Sequence, residues 1–259
     1  MTDSVSRFSD RVDNYRKYRP GYPPEILAFL HRTINLSPFW TVADIGSGTG
    51  IFAEIFLEYG NTVIGVEPNA AMRAAAELEL IDHPHFVAVD GTAEATSLAP
   101  ATVDLITVAQ AFHWFDAEKA RREFERILRP GSWVVLAWNS RRLDSTPFLR
   151  GYESLLRTTN SDYAQKNEKN VGDDDIAAFF GGGNHFGTTR FDNVQRFDWD
   201  GLRGRALSSS YAPAAGHPDH EPFLTQLRQL FDDHQVNGRI AYEYDTRLYY
   251  GQLNRTVTL

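Results

Sequence analysis

The sequence predicts an α/β fold built on a doubly wound, mainly parallel sheet, and three observations carry that prediction. Short apolar runs alternate with helix-period stretches five times between residues 41 and 138. The first run ends in a turn that holds three glycines, and the second ends in an acidic residue. A repeated β-then-α rhythm needs right-handed crossovers, which lay helices over both faces of one sheet.

Taken in order, residues 25–36 place Ile26, Leu27, Phe29, Leu30 and Ile34 on one helical face, with Pro24 suited to the first turn. Ahead of them, Arg19-Pro20-Gly21-Tyr22-Pro23-Pro24 resists helix, because each proline fixes its own φ and biases its predecessor toward extended backbone. Residues 41–45 read as the first strand. Residues 51–59 form a helix whose Ile51, Phe52, Ile55, Phe56 and Tyr59 share a face, with Gly60 as a left-handed stop. Residues 62–66 are the second strand, and Asn69 caps an alanine-rich helix through Leu80. Residues 86–89 and 103–109 are the third and fourth strands. Asp116 caps a helix to Leu128, Arg129-Pro130-Gly131 ends it, and residues 133–138 are the fifth strand.

Beyond residue 140 the rhythm breaks. Phe148, Tyr152, Leu155 and Leu156 mark a helix, residues 160–170 are polar, and Asp173 to Asp175 with Gly181 to Gly183 read as loop. The acidic triplet lacks the Asp-x-Asp-x-Asp-Gly spacing of a calcium loop, so helix capping or a solvated turn is expected of it. Residues 191–199 alternate as a strand, Phe223, Leu224, Leu227, Leu230 and Phe231 mark a late helix, and residues 240–250 alternate as a final strand.

Composition narrows the function classes. A chain of 259 residues with 42% hydrophobic and 23% charged content can bury an ordinary core. Its net charge of −8 gives it no electrostatic reason to seek phosphate backbones, so no nucleic-acid partner is expected. The absence of cysteine excludes disulfides, thiolate nucleophiles and cysteine-based zinc sites, and it fits a reducing compartment. The N-terminal residues carry no apolar leader, and no stretch approaches the roughly 20 apolar residues of a membrane span. A cytoplasmic protein is the expectation. His31, His83, His85, His185, His217, His220 and His234 show no metal-ligand spacing, and no metal site is expected.

The chemistry concentrates at Asp44-Ile45-Gly46-Ser47-Gly48-Thr49-Gly50. A strand, then glycines, then a helix presses a ligand against backbone at a switch point of the sheet. Glycine serves because a Cβ would block the approach or forbid a positive φ. Glu67, closing the second strand, can accept hydrogen bonds from two ribose hydroxyls, so a nucleoside cofactor is implied. The dinucleotide fingerprint G-x-G-x-x-G aims a helix N-terminus at pyrophosphate. Here the spacing is G-x-G-x-G, and Asp44 sits two positions before the first glycine. A carboxylate there suits a ligand with an ammonium group and is awkward beside pyrophosphate. S-adenosyl-L-methionine has that ammonium and lacks phosphate. An NAD(P)-dependent oxidoreductase is the alternative that these two features disfavour.

Further motifs follow in order: Gly65-Val66-Glu67-Pro68-Asn69, Asp90-Gly91-Thr92-Ala93-Glu94, Val103-Asp104-Leu105-Ile106-Thr107 running to Gln110-Ala111-Phe112-His113-Trp114-Phe115, and Leu128-Arg129-Pro130-Gly131. With them the chain resembles the class I S-adenosylmethionine-dependent methyltransferases of type 11, the group that includes ubiquinone/menaquinone-biosynthesis and trans-aconitate methyltransferases. The resemblance covers residues 5–140 closely and reaches more loosely to Ser208-Ser209-Ser210-Tyr211 and the closing strand. It implies a Rossmann-like seven-stranded sheet with an antiparallel last strand, an N-terminal lid and a cap inserted after strand five. Residues 1–259 then form one domain: lid and helix over 1–36, cofactor-binding core over 37–140, cap and sixth strand over 141–235, last strand and tail over 236–259. The implied activity is methyl transfer to a small molecule, leaving S-adenosyl-L-homocysteine, with a carboxylate or hydroxyl oxygen favoured as acceptor. The implied assembly is a monomer or homodimer. A non-catalytic S-adenosylmethionine-binding protein is a second alternative.

The resemblance also implies a site. Asp44, Gly46, Ser47, Gly48 and Gly50 would lie against the methionine and ribose portions, and Glu67 with Pro68 against the ribose. The turn carrying Thr92 and Ala93 would meet the adenine edge. Thr92 replaces the Asp usual there, so contact with the adenine amino group falls to Thr92, Asp90 or Glu94. Ala109, Gln110 and Trp114 complete the set. In relatives with an Arg-Pro-x-Tyr-Pro stretch, that segment folds over the cofactor; here it runs from Phe8 to Pro23 and offers Tyr15, Tyr18 and Arg19. The Arg19 guanidinium can hold the methionine carboxylate bidentately. An aromatic such as Phe8 or Trp114 beside the sulfonium would add cation–π attraction. His113, just after the fourth strand, is the candidate catalytic base, although in the family a His-Trp pair there often shapes the pocket without moving a proton. A carboxylate acceptor needs no base, whereas a hydroxyl or carbon acid does. Trp138, Tyr152, Trp199 and Tyr211 could line an apolar pocket in the cap, but as single aromatics each is expected to be core before ligand.

Overall fold

The computed structural model describes residues 18–159, 163, 171–182, 185–209 and 212–253. Strands β1 (Thr41–Ile45), β2 (Thr62–Val66), β3 (Phe86–Val89), β4 (Val103–Ala109) and β5 (Leu128–Arg141) run parallel. Strand β7 (Ile240–Gly251) lies antiparallel between β5 and β6 (Phe186–Phe197), which gives one seven-stranded sheet in the order β3-β2-β1-β4-β5-β7-β6. This is the Rossmann-like sheet with an antiparallel last strand that the sequence predicts. The chain winds outward from β1 to β3, then returns to the other side of β1 to lay down β4. The crevice for a ligand therefore opens above the ends of β1 and β4.

Apolar side chains leave both sheet faces, which is why the strands read as continuous apolar runs. One face carries α1 (Glu25–Ile34) and α2 (Ile51–Tyr59), whose Ile26, Leu30, Phe52 and Phe56 pack with Val42, Val63, Leu105 and Val135. The other carries α4 (Ala117–Ile127) and α6 (Asp173–Phe180), whose Phe124, Ile127, Phe179 and Phe180 pack with Ala43, Ile45, Ile106 and Val134. Each such side chain, fully buried, contributes about 1.5–3 kcal/mol. A third core joins α5 (Pro147–Thr159), α7 (Trp199–Leu207) and α8 (His220–His234) to Tyr242 and Tyr244 of β7. Apart from its β7 residues, that cluster falls in the stretch expected to form a cap.

Local chemistry sets the boundaries. The Asn69 side chain accepts from the amides of Ala71 and Met72 at the start of α3 (Ala70–Glu79), and Asp116 accepts from Lys119 at the start of α4. Gly60, at φ 104°, ends α2.

Three expectations need correction. Residues 173–175 are not loop but the first turn of α6: Asp175 accepts from the Gly172 amide at 3.0 Å, and Gly181 at φ 86° closes the helix. Ile176, Phe179 and Phe180 anchor it in the core, and carboxylates suit a helix N-terminus. Trp199 does not end a strand; it opens α7, because Asp198 accepts from the Gly201 amide at 2.8 Å and caps the helix. β5 begins at Leu128, ahead of the expected start at 133. Val103 pairs Leu128 while Leu105 pairs Trp133, so the intervening residues bulge, with Gly131 at φ 79°. Among the described residues no helix is long and apolar enough to cross a membrane.

Candidate active site

The glycine turn is tied to β2 by its backbone: the Gly46 and Ser47 amides donate to the Val66 carbonyl at 2.8 and 3.2 Å. Gly46, Gly48 and Gly50 have φ of 68°, 56° and 80°, the left-handed region that favours glycine. Their surroundings differ. A Cβ on Gly46 would stand 2.6 Å from the Ala111 Cβ, and one on Gly50 would stand 2.6 Å from the Leu80 Cδ1. A Cβ on Gly48 meets nothing within 4 Å. The outer glycines thus serve packing within the protein, whereas Gly48 presents open backbone.

Glu67 braces that backbone. Its Oε2 accepts from the Gly48 amide at 3.0 Å and its Oε1 from the Asn69 amide at 2.9 Å. Each carboxylate oxygen has a second lone pair for another donor. Burial raises the Glu67 pKa, and these hydrogen bonds partly offset it. Beneath the turn, Asp44 is 1% exposed and accepts from the Thr107 hydroxyl at 2.8 Å. Burial pushes its pKa up to about 7, with Thr107 pulling down and the Glu67 charge adding to the rise.

A cleft opens over the turn, walled by Asp44, Gly46, Ser47 and Gly48, by Ala109 and Gln110 at the end of β4, and by Arg19 of the N-terminal segment. Gln110 has φ 56°; its amide donates to the Ala137 carbonyl and its Nε2 to the Asn139 carbonyl at 3.0 Å. The segment around Arg19 is held over the cleft from the sheet. The Gly21 carbonyl accepts from Asn139 and Asn193, at 3.2 and 2.8 Å, and the Arg19 carbonyl accepts from Gln195 at 3.2 Å. The Tyr22 and Phe52 rings meet at 4.3 Å.

Three further wall residues escape the sequence reading: Asn139, Arg205 and Tyr244. Arg205 is 5% exposed, donates from Nε to the Tyr244 hydroxyl at 3.1 Å, and lies 5.5 Å from the Tyr242 ring. Asn139 had a signal, being the first polar residue after the apolar run of β5. Arg205 and Tyr244 had none, since only the β5–β7–β6 pairing and the α7 packing bring them here.

Other expected residues stand apart from this cleft. Pro68 is exposed. Thr92 sits in the turn after β3, where its backbone exchanges hydrogen bonds with Ala95, and the Ala93 side chain is buried in the core. Asp90 is ion-paired with Arg73 at 2.9 Å, and Glu94 accepts from the Asp116 amide at 2.9 Å. His113 and Trp114 lie on the 3-10 turn Phe112–Trp114, where the buried Phe112 ring packs on Phe179 at 4.8 Å. That anchor leaves His113 and Trp114 exposed and outside the cleft walls. The desolvation that His113 does feel lowers its pKa. Phe8 and Tyr15 fall outside the described residues, as does Tyr211. Tyr152 stacks on Phe148 in the cap core, Trp138 packs on Phe112 and Tyr249, and Trp199 packs on Phe231. Tyr152 is core, and Trp138 and Trp199 pack partly buried against the core.

A family model described as a methyltransferase domain matches residues 43–136, the stretch from β1 through β5. An uncharacterized methyltransferase of Geobacillus is 31% identical over 155 residues, covering 56% of this chain and 71% of the relative. The chain belongs to the class I S-adenosylmethionine-dependent methyltransferases. An uncharacterized methyltransferase of Mycobacterium tuberculosis is 38% identical over 139 residues, 54% of each chain. The matched stretch thus spans about half the length of such curated relatives. Among solved structures, a protein of Anaeromyxobacter dehalogenans provisionally described as a type II methyltransferase has a TM-score of 0.67 at 22% identity, covering 91% of this chain and 98% of its own. Another, from Anabaena variabilis and provisionally placed in an antibiotic biosynthesis pathway as a methyltransferase, scores 0.62 at 22% identity, covering 92% and 99%. At that identity the likeness is one of fold. Membership of this methyltransferase family implies use of S-adenosylmethionine.

Proposed function

We propose that this chain transfers a methyl group from S-adenosylmethionine to a small molecule, with a carboxylate or hydroxyl oxygen as acceptor. One observation carries the reading: the open Gly48 backbone, braced by Glu67 and underlain by the buried Asp44. Those groups fit the cofactor. Asp44 offers an anion to an ammonium, Glu67 retains acceptor capacity for ribose hydroxyls, and Arg19 offers a planar fork to a carboxylate. A pyrophosphate in the same place would meet Asp44 as a like charge.

When bound, S-adenosylmethionine supplies an electrophilic methyl whose leaving group is a neutral thioether. The protein's task is then alignment and exclusion of water, which contributes roughly 7–11 kcal/mol in well-oriented systems. Gly46 to Thr49 and Gln110 set one side of the alignment; the Arg19–Tyr22 segment and Arg205 close the other. A carboxylate acceptor would need no base, which agrees with His113 standing outside the cleft. A hydroxyl acceptor would require a base, and His113 would have to turn toward the cleft to serve as one.

Calorimetric titration with S-adenosylmethionine, S-adenosylhomocysteine and NAD tests the first half of this reading. Micromolar binding of the first two without NAD is expected, and NAD binding alone would overturn it. A panel of carboxylic acids and phenols, followed by S-adenosylhomocysteine release, tests the second. Binding with no turnover on any member would favour a sensor over an enzyme.

A further inference from the structure

A second cleft, of about 680 Å³, opens beyond the end of β5, between α5 and the outer strands β6 and β7. Its walls hold Arg141, Arg142, Arg150, Arg157, Arg190 and Arg247 against three carboxylates, Asp144, Glu153 and Asp245. Such a concentration of guanidinium groups is unexpected on a chain of net charge −8.

A solvated ion-pair network on a sheet edge accounts for part of it. Arg142 and Arg190 share Asp245, and Arg157 pairs with Glu153 at 2.8 Å. Charges on an outer strand also discourage edge-to-edge pairing. That account does not reach Arg141. Its side chain is 8% exposed, its Nη2 donates to Glu153 and to the Tyr163 hydroxyl, and its guanidinium lies 5.2 Å from the Tyr152 ring. Its Nη1 is buried with no hydrogen-bond partner. Buried donors in folded proteins are nearly always satisfied, and an orphaned one points to a missing acceptor. Nor does the network explain Arg150, whose Nη1 donates to the Asp144 backbone carbonyl at 2.7 Å and which, like Arg247, is exposed on the wall.

We propose that this cleft is an oxyanion-binding site for a ligand bearing a phosphate or several carboxylates, with Arg141 as the buried donor and Arg150 and Arg247 as the exposed clamp. Arginine forks match both groups bidentately, which the lysine ammonium cannot do. Arg141 lies on the sheet face that also carries Asn139, about 7 Å back along β5, whereas Asp245 and Arg247 pair with Ser140 and Trp138 and lie on the other face. The anion is either the charged end of the methyl acceptor or a free polyanion, two sources that kinetics distinguish.

Calorimetric titration of the full chain with pyrophosphate and with citrate, at constant ionic strength and with sodium chloride as control, tests the site. Saturable binding with a Kd of about 1 mM or below is expected for at least one of them. The double variant Arg150→Ala/Arg247→Ala should keep its melting temperature and lose about tenfold in affinity, because both side chains are exposed and the clamp contacts are charge-assisted. Arg141→Lys, which keeps the charge but not the fork, should also weaken binding. Absence of saturable binding, or equal affinity in the double variant, overturns the proposal. Where binding holds, kinetics separate the sources, and both patterns support the site. Competition by pyrophosphate against an acceptor that turns over assigns the anion to the acceptor, and non-competitive behaviour assigns it to a free polyanion. Because the binding arm needs no turnover, its failure is distinct from failure of the methyltransferase reading.

Discussion

Burial raises the Asp44 carboxyl to a pKa of about 7 against the pull of the Thr107 hydroxyl 2.8 Å away. Its folded pKa lies above the unfolded value, so the fold favours the protonated form. The stability this contributes is complete below about pH 4 and is lost as the pH rises through 7. An ammonium ligand needs the opposite form. We therefore predict two curves of opposite sign: wild-type thermal stability, measured without ligand, falls from pH 5 to 8, while affinity for S-adenosylhomocysteine rises by up to about tenfold per unit until pH 7. Asp44→Asn should flatten both, apart from a shallow residue owed to Glu67, whose pKa is also raised by burial. A wild-type dissociation constant that does not change between pH 6 and 7.5 would remove Asp44 from the ammonium site. Glu67 is tested more simply. Glu67→Ala should cost about 1–3 kcal/mol of cofactor binding through lost charge-assisted hydrogen bonds, and an unchanged constant in calorimetry would exclude it.

In the glycine turn, element-scale logic separates three residues that look alike in sequence. Alanine at Gly46, Gly48 or Gly50 pays about 1–2 kcal/mol for a left-handed φ. At Gly46 and Gly50 it also collides with Ala111 and Leu80, which adds about 1–3 kcal/mol of overpacking. We predict that Gly48→Ala is the most stable of the three variants and yet binds S-adenosylhomocysteine at least about tenfold more weakly than wild type. Denaturant melts and titrations on the same samples check this; wild-type affinity in Gly48→Ala would mean that no ligand approaches that backbone. The turn was legible because its constraint is local, and so were the caps Asn69 and Asp116 and the stop at Gly60. The start of α6 was masked by an acidic triplet that reads as loop until Asp175 is seen bonding back to Gly172. α7 was masked because the alternation of β6 runs visually into Trp199, and only the Asp198 cap breaks it. Arg205 was lost with α7, and Tyr244 needs the β6–β7 register, a long-range pairing with no short-range signature. His113 was correctly placed after β4, but spacing alone could not show that the buried Phe112 turns it outward.

Across the whole molecule, the Arg19–Tyr22 segment is where core, outer strands and cap meet. Asn139 of β5 and Asn193 of β6 hold the Gly21 carbonyl, the Tyr22 ring rests on Phe52 of α2, and Arg19 Nη2 donates to the Ser208 carbonyl just after α7 at 3.5 Å. On the cap side the Tyr18 ring lies so close to Gly204 that a Cβ there would overlap it. A segment fastened at both ends over a cleft should control ligand escape more than it controls folding. Each neutral hydrogen bond contributes only about 0.5–1.5 kcal/mol net, which is small beside a sheet core to which the segment adds only the partly buried Tyr22. We predict that Asn193→Ala, and independently Gly204→Ala, accelerate dissociation of S-adenosylhomocysteine by several-fold while the melting temperature of the free protein shifts by only a few degrees. Stopped-flow displacement gives the rate and calorimetry the stability. The two substitutions act from opposite sides of the segment, one by removing a tether and one by pushing on Tyr18. Agreement between them would locate the effect in the segment itself, whereas an unchanged rate in both would show that the cofactor leaves by a route the segment does not cover.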